Sequence, residues 1–210
     1  MIAYSAGRRC APVEMHTVLF VARAGRRIPF TIDVLIVCTA NRCRSVMAEA
    51  ILRRRLDERG VSAQVGSAGF LGEGHPPMDD TIVTMAEDGL DVAVHRSRDV
   101  KPELILASDL VVAMTRQHVL ELALLVPDDW QRVFQLRDLV RRAEAVGPRA
   151  PGQSLQTWLA FAGAGRTRSG LLAAPIDDDI ADPVGGPRRG YEQTRRVLDD
   201  LLTRLADLVA

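Results

Sequence analysis

The chain has 210 residues, of which 47% are hydrophobic, and this content suits one domain with a sizeable core. Lysine and arginine total 27, as do aspartate and glutamate, so the formal net charge is zero. The basic excess typical of nucleic-acid binding or attachment to anionic membranes is therefore missing, and no apolar stretch approaches the roughly 20 residues of a membrane-spanning helix.

The N-terminal 30 residues carry several arginines around a short apolar patch, without the long apolar core of a signal peptide. We interpret residues 1–30 as a loosely ordered extension, with a targeting segment as the alternative, and residues 31–210 as the folded domain. The three cysteines, Cys10, Cys38 and Cys43, are too few and odd in number for a disulfide framework, which favours a reducing, cytoplasmic location. The cysteines and histidines do not show metal-ligand spacing, so we expect neither a metal nor another cofactor.

Strand and helix patterns alternate along the rest of the chain. Strands are predicted over 33–37, 61–65, 110–114 and 132–135. Helices are predicted over 45–59, 78–88, a short segment ending at 107, from a Thr115 cap to 125, and over 138–145, 153–162 and 190–208. This alternation predicts an α/β fold, namely a three-layer αβα arrangement with a four-stranded parallel sheet and helices on both faces. Ligands of such sheets bind at the carboxyl ends of the strands.

The most informative motif is a Cys-x5-Arg-Ser run, from Cys38 to Ser45, between the first predicted strand and the first helix. Backbone N–H groups at the start of a helix lack intrahelical partners and, with the helix dipole, form an anion site. A cysteine in such a loop is expected to react as a thiolate. The Arg44 guanidinium can grip two phosphoryl oxygens, Ser45 can donate to the cysteine sulfur, and Asn41 tolerates a left-handed backbone.

A thiolate that attacks a phosphomonoester also needs a proton donor for the leaving oxygen. The best candidate is Asp182, which precedes a proline in an acidic, Gly/Pro-rich loop before the last helix. Taken alone, such a stretch is more typical of an ordinary solvated loop than of a catalytic loop.

The sequence resembles the low-molecular-weight protein tyrosine phosphatase family, which shares its fold with thioredoxin-type arsenate reductases. The resemblance covers roughly residues 33–206 and is strongest over 34–49, which is similar to the family's phosphate loop and first helix. Further similar segments are Ser67-Ala-Gly69, Pro77-Met-Asp79, His95-Arg-Ser-Arg98 and Asp182-Pro183.

The resemblance implies that Cys38 is the nucleophile that forms a phosphocysteine, that Arg44 binds the substrate and stabilises the transition state, and that Asp182 is the general acid and then the general base. It also implies a supporting role for His95. The implied phosphate-binding loop comprises Thr39, Ala40, Asn41, Arg42, Cys43, Arg44 and Ser45, in which Asn41 and Ser45 shape the loop. Cys43 matches a second loop cysteine that in the family can trap the oxidised nucleophile as a disulfide; an inert, packed thiol is the alternative.

Some positions depart from the family pattern. Ala40 stands where glycine is frequent, and Arg42 replaces an often apolar residue at the pocket rim, where it could attract acidic substrates. The residues after Asp182-Pro183 are Val-Gly-Gly (184–186) and not tyrosines, so Phe70 is the nearby aromatic candidate and the preferred leaving group stays open. Residues 147–176 exceed the compact pattern; this insertion could form a lid, contact a partner or be disordered.

The leading hypothesis is a phosphomonoester hydrolase, in the first place a protein tyrosine phosphatase, acting through a phosphocysteine on a phosphotyrosine protein or another phosphomonoester. An arsenate reductase that uses a small thiol is one alternative, because no cysteine follows Cys43 to supply a thioredoxin-coupled relay. A non-catalytic phosphate or phosphoprotein binder is the other. The sequence does not indicate an oligomeric state.

Overall fold

The computed structural model of the protein describes residues 31–172 and 176–210. The predicted extension over 1–30, which includes Cys10, lies outside the described residues. The strands are β1 (Ile32–Val37), β2 (Ala63–Ala68), β3 (Leu110–Ala113) and β4 (Val133–Gln135). The helices are α1 (Arg44–Asp57), α2 (Asp79–Ala86), α3 (Pro102–Ala107), α4 (Arg116–Leu125), α5 (Leu136–Val146), α6 (Leu155–Ala162), α7 (Arg168–Leu172) and α8 (Arg188–Val209).

The four strands form one parallel sheet in the order β2-β1-β3-β4, with helices on both faces, which confirms the predicted fold class. Alternate residues of β1 and β3 point to opposite faces. Val34, Ile36 and Val112 join the core that contains α1, α5 and α8, whereas Leu35 and Val111 face α3 and α4. Because both faces are covered, the strands are near-continuous apolar runs.

Helix boundaries follow from local chemistry at several places. The hydroxyl of Thr115 accepts the backbone N–H of His118, so α4 begins where its cap was predicted. Gly60 (φ 67°) and Gly89 (φ 71°) take the left-handed conformation just after α1 and α2, as a helix-ending glycine does. Among the described helices, none combines the length and the apolar character needed to cross a bilayer.

The predicted range of β2 was wrong at both ends. The strand is Ala63–Ala68, and not 61–65, because Gly66, Ser67 and Ala68 pair in register with the last three residues of β1. Local turn propensity favoured a loop at the Gly-Ser-Ala run, but pairing with a buried central strand overrides such propensity. This extension carries β2 to the carboxyl edge of the sheet, beside Cys38.

The predicted insertion over 147–176 contains α6 and α7, of which only α6 was predicted. Trp158 of α6 is 1% exposed and its indole Nε1 donates to the carbonyl of Gly147 at 2.9 Å. Helix α6 packs against α5 and shares its core, so this part of the segment is neither a lid nor disordered.

The chain continues from β1 outward to β2 and then returns to the other side of β1 as β3. The order of strands therefore reverses between β1 and β3, and ligands of open α/β sheets bind at the carboxyl ends of the strands at such a point. Cys38 is the first residue after β1 and lies there.

Candidate active site

The predicted phosphate loop connects β1 to α1. Cys38 and Ser45 are both buried, and the sulfur lies 3.0 Å from the Ser45 hydroxyl oxygen. Helix α1 begins at Arg44, and among the described residues no side chain caps its first turn. The amide groups of this turn are therefore available to an anion, as the sequence predicts.

Asn41 holds the middle of the loop. It is fully buried and has a φ of 52°, so the predicted left-handed backbone is confirmed. Its side-chain amide donates to Ser45 Oγ at 2.9 Å and to Ser67 Oγ at 2.8 Å, and its carbonyl oxygen accepts the backbone N–H of Arg98 at 3.0 Å. Because the amide nitrogen can only donate, Ser45 accepts from Asn41 and keeps its hydroxyl hydrogen for the sulfur of Cys38.

A second layer supports Asn41 from behind. Ser67 Oγ donates to Glu49 Oε2 at 2.5 Å, and the Arg98 guanidinium donates to the Ser67 carbonyl at 2.6 Å. His95, predicted as a supporting residue, has its Nε2 3.0 Å from the backbone carbonyl oxygen of Asn41, and not from the side-chain oxygen that accepts from Arg98. Burial lowers the pKa of His95. Glu49 and Ser67 were missed as members of this network, since nothing in their local sequence indicates it.

Gly69 allows β2 to approach the loop closely. A Cβ atom at this position would lie 2.7 Å from the amide nitrogen of Asn41 and 2.8 Å from the carbonyl oxygen of Thr39. Both are backbone atoms, so no side-chain movement could relieve the contact. The loop therefore fits its position only with glycine at residue 69.

Arg44 and Asp182 meet at the mouth of the loop. Nη2 of Arg44 donates to Oδ2 of Asp182 at 2.5 Å, and Nη1 donates to the Ile180 carbonyl at 3.2 Å. The Arg44 side chain is 6% exposed, whereas that of Asp182 is 44% exposed. The two residues are 138 positions apart in the chain, and the fold brings them together as the resemblance implies.

Thr39 and His118 form a group that was not predicted as a unit. Thr39 Oγ1 accepts from Arg44 Nη2 at 3.1 Å and lies 3.0 Å from His118 Nε2. The His118 ring stacks on Phe70. Burial and then the nearby positive charge of Arg44 lower the pKa of His118 to about 4, so its ring is neutral at pH 7. The sequence offers no signal for this contact, because it joins residues 79 positions apart.

The remaining loop residues lie where predicted. The side chain of Arg42 is partly exposed at the rim, where its Nε donates to the Pro76 carbonyl at 2.7 Å. Among the described residues, Asn41 is the non-glycine residue with a positive φ. Ala40 therefore has a negative φ, and its extra methyl meets no left-handed strain.

Cys43 is buried, and this burial raises the pKa of its thiol to about 12. Cys43 is therefore a packed, protonated thiol beside the nucleophile candidate.

Comparison with known proteins decides the family. The sequence profile of the family described as "Low molecular weight phosphotyrosine protein phosphatase" matches residues 33–149. The chain belongs to this family. The protein is thus a cysteine-dependent phosphatase, and the loop after β1 carries its cysteine.

Relatives of this phosphatase match over most of its length. The protein-arginine-phosphatase of Geobacillus stearothermophilus is 31% identical over 83% of the chain and 93% of the relative. The low-molecular-weight protein-tyrosine-phosphatase of Streptomyces coelicolor is 29% identical over 83% of the chain and 92% of the relative. The crystal structure of a YwlE mutant from Bacillus subtilis superposes with a TM-score of 0.63 at 27% identity, covering 83% of the chain and 96% of the neighbour.

Proposed function

We propose that this phosphatase removes phosphate from a phosphorylated protein side chain in two steps through Cys38. In the first step the Cys38 sulfur attacks phosphorus, an S–P bond forms, and the bond to the leaving atom breaks while Asp182 gives it a proton. In the second step Asp182 takes a proton from water, the water oxygen attacks phosphorus, and the S–P bond breaks to return the thiolate and release phosphate. The observation that carries the proposal is that Cys38 and Arg44 share the phosphate loop, and that Arg44 contacts Asp182 at the mouth of this loop.

A neighbour of known structure supports the covalent step. A Cys-to-Ser mutant of the YwlE arginine phosphatase, 27% identical to this chain, has a phosphorylated active-site serine. In this chain the Ser45 hydroxyl would stabilise the Cys38 thiolate both as nucleophile and as leaving group. Arg44 would bind two phosphoryl oxygens and follow their charge into the transition state.

Tyrosine is the first candidate for the side chain that carries the phosphate. Phe70 lies beside the loop, with its backbone N–H donating to the Thr39 carbonyl at 2.6 Å, and its half-buried ring offers one face for a substrate ring. Arg42 places a positive charge at the rim, which disfavours a cationic side chain and favours acidic residues next to a phosphotyrosine.

Arginine is the second candidate, and two observations favour it. One of the relatives matched over 83% of the chain is a protein-arginine-phosphatase. In addition, the segment after Asp182-Pro183 consists of Val184, which is 48% exposed, and two glycines. This side of the substrate pocket therefore offers no aromatic face. A narrow, unbranched side chain needs no such face.

The experiment compares two peptides of one acidic sequence, one with phosphotyrosine and one with phosphoarginine, by steady-state kinetics. A higher kcat/KM on the phosphotyrosine peptide supports the first candidate, and a higher value on the phosphoarginine peptide supports the second. Hydrolysis of para-nitrophenyl phosphate without hydrolysis of either peptide would contradict a protein substrate of these two kinds. No turnover of any phosphate compound would instead favour a non-catalytic binder, and arsenate-dependent consumption of a thiol would favour a reductase.

A further inference from the structure

His118 lies beside the catalytic loop but has no part in the chemistry described above. It occupies the first turn of α4, where the Thr115 hydroxyl accepts its backbone N–H at 3.2 Å and fixes the start of the helix. Its side chain is buried, and its ring stacks on Phe70 with 5.8 Å between centroids. Helix α4 follows β3, so this turn lies at the same edge of the sheet as Cys38.

Two hydrogen bonds connect the ring to Arg44 through one oxygen atom. The Thr39 hydroxyl oxygen accepts from Arg44 Nη2 at 3.1 Å and lies 3.0 Å from Nε2 of His118. A guanidinium nitrogen can only donate, so the Thr39 oxygen is the acceptor toward Arg44. The contact with Nε2 of His118 then holds the same oxygen by a second hydrogen bond.

We propose that His118 is a positioning residue of the phosphatase reaction, which holds the Thr39 hydroxyl and thereby orients Nη2 of Arg44 toward the phosphoryl group. The inference rests on the role proposed above for Arg44. It assigns to His118 an effect on the transition state, although the ring itself does not touch the reacting atoms.

The contact between Thr39 and His118 matters most when Asp182 protonates the leaving atom. Before the reaction, Arg44 donates to three acceptors, namely Asp182 and Thr39 through Nη2, and the Ile180 carbonyl through Nη1. In the proposed mechanism Asp182 turns from Arg44 to the leaving atom. Among the described residues, Thr39 is then the side-chain acceptor that still holds Nη2, and its own position depends on His118.

The chemistry of the histidine ring argues against a role in packing alone. Its Nδ1 is buried and has no hydrogen-bond partner among the described residues. An unpaired buried polar atom destabilises the folded state, and a phenylalanine would fill the place beside Phe70 without that cost. Residues that lower stability in this way are typical of functional sites.

The test uses His118→Phe, which keeps a stacked ring but removes the hydrogen bond, and His118→Gln, whose side chain places a polar atom near the position of Nε2. We expect His118→Phe to lower kcat/KM for para-nitrophenyl phosphate roughly 3- to 10-fold, the factor for one lost hydrogen bond. The loss should fall on kcat and not on KM, with an unchanged or higher melting temperature. His118→Gln should recover most of the rate, and the exposed control His75→Gln should match the parent.

A double-mutant cycle with Thr39→Val supplies the decisive result. If the two side chains act as one unit, the double variant should be no slower than Thr39→Val alone. Losses that multiply, or full activity in a folded His118→Phe variant, would overturn the proposal. If His118→Phe does not fold, His118→Leu, which also lacks the hydrogen bond to Thr39, takes its place in the cycle. A parent protein that hydrolyses no phosphate compound would instead refute the proposed function itself.

Discussion

Arg44 and Asp182 form an ion pair across the mouth of the phosphate loop, with 2.5 Å between Nη2 and Oδ2. In the proposed mechanism both residues contact the substrate, Arg44 at the phosphoryl oxygens and Asp182 at the leaving atom. The pair therefore has to separate when an oxyanion enters the loop. Asp182 is thus bonded to the same cation from which it has to part during the reaction.

We predict that Asp182→Asn binds inorganic phosphate about 2- to 5-fold more tightly, because an ion pair whose carboxylate is 44% exposed contributes roughly 0.2–1 kcal/mol and the carboxylate also repels the anion. Titration calorimetry measures this affinity. The matched control is Asp177→Asn, which removes an exposed carboxylate from the same segment and should leave the affinity unchanged.

The same Asp182→Asn variant should lose far more activity on phenyl phosphate than on dinitrophenyl phosphate, because only the poor leaving group needs a proton. Comparison of kcat on the two substrates measures this difference. Equal losses on both substrates would count against Asp182 as the general acid.

Arg44→Lys should lower kcat/KM about 100- to 1000-fold, the range found when one preorganised transition-state donor is removed. A lysine has one nitrogen, which cannot serve the Ile180 carbonyl, Thr39 and two phosphoryl oxygens together. Steady-state kinetics test this, with the exposed Arg189→Lys as the control that keeps its activity. A loss smaller than about threefold would contradict the bidentate role.

Gly69→Ala should reduce kcat/KM by about 100-fold, since the new Cβ would meet two backbone groups of the loop and displace them. Gly190→Ala is the matched control, because its Cβ would meet only Pro183, at ordinary contact distances of 3.5 Å to Cβ and 3.9 Å to Cα. That control should keep its activity and its melting temperature. A fully active Gly69→Ala variant would show that the loop tolerates displacement.

How far the sequence alone predicts this molecule depends on the range of each interaction. The strand–loop–helix around Cys38, the Thr115 cap and the left-handed Asn41 follow from local patterns and were predicted. The carboxyl-terminal extension of β2 depends on pairing with β1, and the contact between Thr39 and His118 joins residues 79 positions apart. Such contacts are set by tertiary packing, which leaves no periodic or local signature. Asp182 was the best proton-donor candidate by its place before a proline, but only the resemblance favoured a catalytic role over an ordinary solvated loop.

The stability of the protein should fall with acid in a manner that His118 in part causes. Its pKa is lowered to about 4 in the folded state, against about 6.5 when unfolded, so the unfolded chain binds the proton first. The free energy of unfolding therefore has its full value above pH 6.5 and falls between pH 6.5 and 4, by up to about 3 kcal/mol. Denaturant unfolding should therefore show His118→Phe gaining stability relative to the parent as the pH falls; parallel curves for the two proteins would contradict this.

The most direct test of the mechanism is to locate the phosphoryl group during turnover. Enzyme that is hydrolysing an activated aryl phosphate is quenched in acid, digested and examined by mass spectrometry. The proposed pathway predicts phosphate on the peptide that contains Cys38, bonded to that sulfur, and no turnover in Cys38→Ser. Phosphate on another residue, or steady hydrolysis by Cys38→Ser, would contradict it.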